Sequence, residues 1–294
     1  MRIEYQRNYS QNQLKSSELI RRLVHKSSLL ATDKIVEIGS GLGIITQELA
    51  TVCKEVLAFE IDTKLFEKSQ VRLKSLNNIT ELNEDFLTAD LPVTSYKVFA
   101  NIPFNLSSQI IKKVTEASNP PIDAYLIMQK EAAEKFMGRP KETQASLLVK
   151  PWFELSSVYT FQKSDFTPAP NVTVILLKIQ RRKAPKVSIS LKDLYKDFIV
   201  YSTTRWKKTL FESLEEVFTR KQLFKLAEEL QFDIGTSPLH LNFDCWLNLF
   251  NVFIKLVDRE KRKKVSGAFT SQRVRESGLK KINRTRLDRG WRLK

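Results

Sequence analysis

The stretch Asn101-Ile102-Pro103-Phe104 directly follows a short apolar run and joins a side-chain amide, a proline and an aromatic ring at one point of the chain. One interpretation is a turn at the end of a strand, because Asn and Pro commonly interrupt strands and Phe104 could be a core residue. The other is a ligand site. The tetrapeptide alone does not decide between them, so the neighbouring motifs must.

A glycine-rich motif, Glu37-Ile38-Gly39-Ser40-Gly41-Leu42-Gly43, joins another apolar run to a segment with helical spacing. Glycines let backbone N–H groups approach a ligand where a Cβ would collide, and the start of the helix offers further N–H donors. A dinucleotide site would have a third glycine at position 44, where this chain has Ile44, and no Gly-Lys-Ser/Thr follows as in a P-loop. The motif therefore predicts a ligand that is neither NAD nor held by a P-loop.

Two acidic residues follow the next predicted strands. Glu60 ends the second strand about 20 residues after the glycines, where a carboxylate can accept hydrogen bonds from both hydroxyls of a ribose. Asp85 ends the following unit and can accept from an adenine amino group, while Phe86 lines the ring. Each acid alone is more often a helix cap or a surface group. Together with the glycine loop, they favour a nucleoside without phosphates.

Five motifs in this order and spacing resemble those of the S-adenosylmethionine-dependent rRNA adenine N6-methyltransferases, the Erm and KsgA group: Ser10-Gln11-Asn12, EIGSGLG, Glu60, Asp85 and NIPF. The resemblance covers about residues 8–255. It implies S-adenosylmethionine as the cofactor, and it implies the following contact residues: Gln11, Asn12, Leu14, Gly39, Gly41, Glu60, Ile61, Asp85, Phe86 and Asn101. The chain has Gln13 where the family usually has an aromatic residue.

The resemblance also implies that Asn101, Ile102, Pro103 and Phe104 are the catalytic residues. The target nitrogen of adenine is a poor nucleophile because its lone pair is delocalised into the ring. The Asn101 side-chain oxygen and the Ile102 carbonyl would accept its two hydrogens and stabilise the positive charge that develops. Pro103 would stiffen the turn and Phe104 would stack on the extruded base. No general base is required, since the product cation loses its proton to water.

Within the group, the segment Lys150–Glu154, residues 218–231 and the basic carboxyl-terminal tail resemble Erm enzymes, which modify an adenine in the macrolide-binding region of 23S rRNA. That comparison implies resistance to macrolides, lincosamides and streptogramins. Phe166–Pro170 and Gln129–Glu131 are shared with KsgA-like enzymes, so dimethylation of small-subunit rRNA is the alternative. A non-catalytic RNA-binding or transcription-associated protein and a DNA adenine methyltransferase are further alternatives, the first opposed by the intact Asn101–Phe104.

The elements that must position these residues alternate through the first two thirds of the chain. Apolar runs predict strands at Lys34–Ile38, Glu55–Glu60, Ile79–Leu82, Lys97–Ala100 and Ala124–Met128. Helical spacing lies between them, as in Gly43–Val52 and Lys130–Met137. This alternation predicts a parallel sheet with helices on both faces. Three further strands, at Ser146–Phe153, Ser156–Phe161 and Val172–Ile179, are expected to add an antiparallel edge.

The fold class expected is a Rossmann-like class I methyltransferase fold with a small all-helical carboxyl-terminal domain and a basic tail. Residues 1–183 would form the catalytic domain and residues 184–258 a helical RNA-binding domain. The last 36 residues, 259–294, have fourteen Lys/Arg and three Asp/Glu, so they carry +11 of the formal net charge of +16. Such asymmetry indicates a polyanionic partner, and we expect this tail to be disordered when free. The alternative is a solvated tail that only aids solubility.

The amino-acid composition argues against several other classes of protein. The chain has 294 residues, 42% of them hydrophobic, which is enough for a large core and a smaller domain. Only two cysteines and two histidines occur, so we expect neither a disulfide framework nor a catalytic metal. The apolar runs are too short to span a membrane, and the amino terminus has no signal-like apolar region. We therefore expect a monomeric cytoplasmic protein without membrane association, and the resemblance implies rRNA as its partner.

Overall fold

The computed structural model describes residues 12–204 and 208–278. The chain divides into two compact units. The first runs to Arg139 and includes Trp152–Pro185, and the second combines Pro140–Pro151 with the chain from Lys186 onward. Among the described residues, no helix has both the length and the apolar character that crossing a membrane requires.

The first unit contains strands and helices in alternation. Its strands are β1 (Gln13–Leu14), β2 (Lys34–Ile38), β3 (Glu55–Phe59), β4 (Ile79–Leu82), β5 (Lys97–Asn101), β6 (Asp123–Gln129), β7 (Phe153–Thr160), β8 (Phe166–Thr167) and β9 (Val174–Arg181). Its α-helices are α1 (Ser17–Lys26), α2 (Ile44–Val52), α3 (Thr63–Leu73), α4 (Ser107–Glu116) and α5 (Lys130–Met137).

Seven of these strands form one sheet in the order β4-β3-β2-β5-β6-β9-β7. The five neighbouring strands β4, β3, β2, β5 and β6 run parallel. Strand β9 pairs antiparallel with β6 and β7. Central strand residues such as Val36, Val98 and Leu126 are fully buried, as expected for a sheet covered on both faces. The predicted fold class is therefore confirmed, as is the antiparallel edge.

The sheet order places a topological switch between β2 and β5. From β2 the chain proceeds outward to β3 and β4, and it then returns to place β5 on the other side of β2. Parallel strands end at the same edge of the sheet, so the loops after β2 and β5 diverge there and leave a crevice. The glycine motif follows β2 and the Asn101 motif ends β5.

A short amino-terminal strand closes over this edge. In the antiparallel pair of β1 and β8, Gln13 lies opposite Thr167 and Leu14 opposite Phe166. The Lys15 N–H donates to the Asp165 carbonyl at 2.9 Å, which continues the pairing. The side chains of Leu14 and Phe166 are buried in the main core. Backbone pairing and burial together fix the position of residues 12–15.

One predicted strand is wrong. Residues Gln144–Val149 form a helix, α6, in the second unit, and only the end of the predicted strand Ser146–Phe153 begins β7. A capping box starts the helix, since the Thr143 side chain accepts from the Ser146 N–H and the Ser146 side chain accepts from the Thr143 N–H. A short apolar run does not distinguish a buried strand from a buried helix. Here the capping box favours the helix.

The second unit is helical. After α6 its helices are α7 (Lys192–Thr204), α8 (Leu210–Leu214), α9 (Arg220–Glu229), α10 (Phe243–Leu256), α11 (Arg259–Lys263) and α12 (Ala268–Gly278). Its core is aromatic: Trp246, Phe198, Phe250 and Phe253 are at most 1% exposed, and the Phe198 and Phe253 ring centroids lie 4.9 Å apart. The predicted helical carboxyl-terminal region is confirmed.

The expectation of disorder is wrong for the first part of the tail, because α11 and α12 occupy Arg259–Lys263 and Ala268–Gly278. The Asp258 side chain caps α11 by accepting from the Lys261 N–H at 2.9 Å. The high content of charged residues favoured disorder, but both segments form capped helices. The rest of the tail, residues 279–294, lies outside the described residues.

Candidate active site

A pocket lies in the crevice at the switch point. Its lining comes from the segment before α1, the glycine loop, the start of α2 and the end of β5, together with Ile20 of α1: Asn12, Gln13, Leu14, Ile20, Gly39, Ser40, Gly41, Leu42, Ile44, Ile45, Asn101, Ile102, Pro103 and Phe104. The structure thus brings together eight of the residues selected from the sequence. Of the others, Gln11 lies outside the described residues.

The glycine loop presents backbone to this pocket. The Gly39 and Ser40 N–H groups donate to the Phe59 carbonyl at 2.8 and 3.1 Å, which ties the loop to the end of β3. Gly39 and Gly41 have φ of +75° and +58°, in the left-handed region that favours glycine. A Cβ built at either residue meets no atom within 4 Å, so both glycines face open space. A ligand can therefore lie directly against this backbone.

Glu60 supports the loop from behind. It is 2% exposed, and its carboxylate accepts from the Gly41 N–H at 2.8 Å and from the Asp62 N–H at 2.8 Å. Burial raises the pKa of Glu60, and these two backbone donors oppose that shift. Glu60 does not line the pocket itself. Its proposed contact with a ribose therefore stays a prediction. Such a contact would use the lone pairs that the two backbone hydrogen bonds leave free on the Glu60 carboxylate oxygens.

The remaining predicted cofactor residues follow β3 and β4 at the same edge of the sheet. Ile61 is 56% exposed. Asp85 is half-buried, and its side chain accepts from the Leu87 N–H at 2.8 Å. Phe86 is buried and packs edge-on against Phe59 with the centroids 5.7 Å apart. None of the three lines the pocket, so their contacts with the cofactor stay predictions.

The side-chain amide of Asn101 is held in one orientation. Its Nδ2 donates to the Asn12 carbonyl oxygen at 2.9 Å, across 89 residues of sequence. This bond uses the donor side of the amide, so Oδ1 is the atom turned toward other donors. Because β1 and its pairing with β8 fix the neighbourhood of Asn12, the amino-terminal segment positions the amide of Asn101.

The residues after Asn101 are also fixed. The Ile102 N–H donates to the Ile127 carbonyl at 3.2 Å, and the Pro103 carbonyl accepts from the Leu106 N–H at 3.0 Å. Pro103 has φ of −59° and precedes a 3₁₀ turn, Phe104–Leu106. The ring of Phe104 is half-buried and packs against the main core. One part of the ring is therefore held by the protein while another part is exposed in the pocket.

A buried acid beside this site was not predicted from the sequence. Glu37, the fourth residue of β2, is 1% exposed. Burial raises the pKa of Glu37 to about 8, and the charges of Glu81 and Glu60 act in the same direction. A signal was present in the sequence, since a glutamate inside the apolar run Lys34–Ile38 is unusual for a buried strand.

Comparisons with known proteins identify the family. The model of the family described as "Ribosomal RNA adenine dimethylase" matches residues 3–255. A relative from Streptococcus thermophilus, named "Ribosomal RNA small subunit methyltransferase A", is 30% identical over 234 residues, 75% of this chain and 80% of the relative. The protein of the same name from Staphylococcus carnosus is 28% identical over 275 residues, 87% of this chain and 93% of the relative.

Two solved structures share the fold over 82% of this chain. The 23S rRNA methyltransferase ErmE matches with a TM-score of 0.75 and 25% identity over 99% of its chain. A dimethyladenosine transferase from Plasmodium falciparum matches with a TM-score of 0.69 and 21% identity over 97% of its chain. The chain therefore belongs to the ribosomal RNA adenine dimethylase family, and it is an rRNA adenine methyltransferase that uses S-adenosylmethionine.

Proposed function

We propose that this enzyme transfers one or two methyl groups to N6 of an adenine in 23S rRNA and thereby confers resistance to macrolides, lincosamides and streptogramins. The observation that carries the methyl-transfer proposal is the shared pocket, in which the backbone of the glycine loop and the Asn101–Phe104 segment face the same space. The loop provides a place for the cofactor, and the segment provides a place for the base.

The pocket fits S-adenosylmethionine. The open space beside Gly39 and Gly41 admits a ligand against the backbone, and the apolar side chains of Ile44 and Ile45 complete the lining. The described lining residues include no ionisable side chain, which suits a nucleoside without phosphates. We propose that Glu60 and Asp85 accept hydrogen bonds from its ribose and adenine. When bound, this cofactor supplies an electrophilic methyl group on a sulfonium sulfur.

The protein acts on the geometry of the target amine. Asn101 Oδ1 and the Ile102 carbonyl accept its two hydrogens, which directs the nitrogen lone pair away from the plane of the base and stabilises the developing positive charge. Phe104 stacks on the base and offsets part of the few-kcal/mol cost of extruding it. Because none of the described lining residues is a base, the proton of the product leaves to water.

The choice of 23S rRNA rests on similarity to ErmE, which has the higher TM-score of the two solved structures, and on the segments Lys150–Glu154 and 218–231. The second candidate is small-subunit rRNA, which the names of the Streptococcus and Staphylococcus relatives favour. In either case we propose that residues 1–183 carry out catalysis and that the helical residues 184–258 bind RNA, in a cytoplasmic monomer.

Methyl transfer to separate substrates tests the proposal. Purified protein is incubated with radiolabelled S-adenosylmethionine and with isolated 23S rRNA, isolated 16S rRNA or duplex DNA, and the product nucleoside is identified by mass spectrometry. We expect N6-methyladenosine or N6,N6-dimethyladenosine in 23S rRNA only. Labelling of 16S rRNA alone would support the second candidate. Labelling of DNA alone, or of nothing, would contradict both.

Resistance is tested in cells. Expression in a macrolide-sensitive bacterium should raise the minimum inhibitory concentrations of a macrolide, a lincosamide and a streptogramin B together, because all three bind the same region of 23S rRNA. The control is the Asn101→Ala variant at equal expression. Equal inhibitory concentrations for the two proteins and the empty vector would contradict the resistance proposal.

A further inference from the structure

The chain continues past the segment that the family model matches. That match ends at residue 255, whereas α11 and α12 lie at Arg259–Lys263 and Ala268–Gly278. Residues 259–278 contain seven Lys/Arg and two Glu. This basic segment therefore lies beyond the part of the chain that the family model matches.

The addition is docked on α7 by defined contacts. The side chain of Asp197 accepts from the Gly267 N–H at 2.8 Å and from the Phe269 N–H at 2.9 Å, so it caps the start of α12. The ammonium group of Lys196 lies 4.7 Å from the centre of the Phe269 ring. Farther along α12, Gln272 Nε2 donates to Gln144 Oε1 at 2.8 Å. The segment is therefore held to the rest of the second unit by backbone N–H groups, an aromatic ring and side-chain amides.

Docking leaves most of the cations at the surface. Lys261 and Arg262 are the exceptions, since both are half-buried. Arg262 Nε donates to the Val257 carbonyl at 2.7 Å and its Nη2 donates to the Ile254 carbonyl at 2.8 Å, which holds the end of α10. The ion pair of Lys263 with Glu260 is itself exposed, and such pairs add little to stability. The exposed basic residues of the segment are Arg259, Lys263, Lys264, Arg273 and Arg275.

We infer that Arg259–Gly278, which we call the basic arm, is a preorganised surface that binds phosphates of the rRNA substrate. The inference rests on the proposed function, since it assigns a role in RNA binding to a part of the chain outside the catalytic pocket. Because Asp197 caps α12 in the free protein, the backbone that carries the cations of α12 is already in place before RNA arrives, and binding loses less conformational entropy. Phosphate contacts add affinity and orientation and carry no base code.

The first test removes charge from the arm. Lys263, Lys264 and Arg275 are replaced by Gln, and affinity for in-vitro-transcribed 23S and 16S rRNA is measured at several KCl concentrations. The slope of log affinity against log salt should become shallower by about 0.7–0.9 for every phosphate that the variant no longer neutralises.

A matched control removes the same charge elsewhere. The exposed Lys68 and Arg72 on α3 and Lys74 directly after it are replaced by Gln. These residues lie in the first unit, far along the sequence from the basic arm. We expect this control to keep the wild-type salt slope, so that a change in the arm variant reports the position of the charges and not only their number.

The second test undocks the arm without removing a cation. Asp197→Ala deletes the cap of α12 and makes the protein one charge more positive, so a general charge effect would strengthen RNA binding. We expect weaker binding instead. Asp193→Ala on the exposed part of the same helix makes the same charge change without touching the arm, and it should bind RNA at least as tightly as the wild type. Thermal denaturation and cofactor affinity, measured for every variant, monitor the fold.

The outcomes separate the two proposals. If the wild type methylates rRNA and the arm variant shows the wild-type affinity and salt slope, the basic arm is not an RNA-binding surface. Equal losses of affinity in the arm variant and the α3 control would also overturn the inference, because net charge alone would explain them. If the wild type neither binds nor methylates either rRNA, the proposed function fails.

Discussion

At the scale of single residues, the hydrogen bond between Asn101 and Asn12 fixes the orientation of the side-chain amide in the pocket. The amide of Asn101 has one oxygen and one nitrogen of similar size, and only a fixed partner decides which of them faces the substrate. The 2.9 Å bond from Nδ2 to the Asn12 carbonyl makes that choice. The oxygen is therefore the atom left to accept from other donors, and under the proposed function it is the acceptor for the amine of the target base.

Asn101→Ala should reduce turnover by roughly two orders of magnitude or more, the scale observed when one preorganised polar contact to a reacting centre is removed. The affinity for RNA should change little, because phosphate contacts elsewhere supply most of it. The measurement is single-turnover methylation with saturating cofactor. Asn105→Ala, an exposed asparagine in the same turn, is the control and should be close to wild type. Equal rates for both variants would place the catalytic amide elsewhere.

A second prediction at this scale concerns Glu37, whose pKa burial raises from 4.5 to about 8. Below pH 4.5 the carboxyl group is protonated in the folded and the unfolded chain. Between pH 4.5 and 8 only the unfolded chain ionises, so it binds fewer protons and the free energy of unfolding falls as pH rises. The full contribution of the raised pKa is therefore present below pH 4.5 and is lost by about pH 8.

Glu37→Gln should remove this decline, since an amide does not titrate. Its free energy of unfolding relative to the wild type should rise between about pH 5 and 8, by up to roughly 1.4 kcal/mol for each pH unit. Urea denaturation at a series of pH values measures the effect. The exposed Glu84→Gln variant should follow the wild type instead. A constant difference between Glu37→Gln and the wild type across this range would show that Glu37 does not titrate as proposed.

At the scale of elements, the glycine loop contains two kinds of glycine. Gly39 and Gly43 both have φ of +75°. A Cβ at Gly39 would enter open space beside the pocket, whereas a Cβ at Gly43 would lie 3.0 Å from Leu73 Cδ1 and 3.3 Å from Ser69 Cβ. Both positions require a left-handed backbone, but only Gly43 also packs closely against α3. Gly39 leaves open space beside the pocket, and Gly43 permits the close contact between the start of α2 and α3.

We therefore expect Gly39→Ala and Gly43→Ala to separate binding from stability. Each loses about 1 kcal/mol through the unfavourable φ. Gly43→Ala should lose further stability because Leu73 and Ser69 must move, while Gly39→Ala should lower the affinity for S-adenosylmethionine because its methyl group occupies ligand space. Thermal denaturation and calorimetric titration measure the two effects. Gly39→Ala with normal cofactor affinity would argue against a cofactor at this loop.

The elements also differ in how far the sequence predicts them. The strands β2, β3, β5 and β6 were predictable because buried parallel strands are continuous apolar runs, and the glycine motif marked the edge where they end. Helix α6 was not, since its six residues depend on the cap at Thr143. The sequence also did not predict two hydrogen bonds, one between Asn101 and Asn12 and one between Gly41 and Glu60. Both join residues that are distant in sequence, and no local pattern encodes such pairs.

At the scale of the whole molecule, positive charge is concentrated at one end of the chain. Residues 259–294 carry +11 of the net +16. The basic arm contributes the part of this charge that lies on docked helices, and residues 279–294 contribute seven Lys/Arg against one Asp. A charge distribution of this kind affects the rate and affinity of RNA binding, and it does not choose the base that is methylated.

The last prediction removes residues 279–294 and leaves the basic arm in place. The shortened protein should bind rRNA more weakly, and its slope of log affinity against log salt should fall by roughly 0.7–0.9 for each phosphate that these residues neutralise in the full chain. Cofactor affinity and the methylated adenine should not change, because the pocket residues are untouched. Binding at several KCl concentrations measures the slope, and mapping of the modified nucleotide by reverse transcription identifies the base. Parallel slopes with equal affinities would reduce this segment to an aid to solubility, and methylation of a different adenine would mean that it helps to read the RNA sequence.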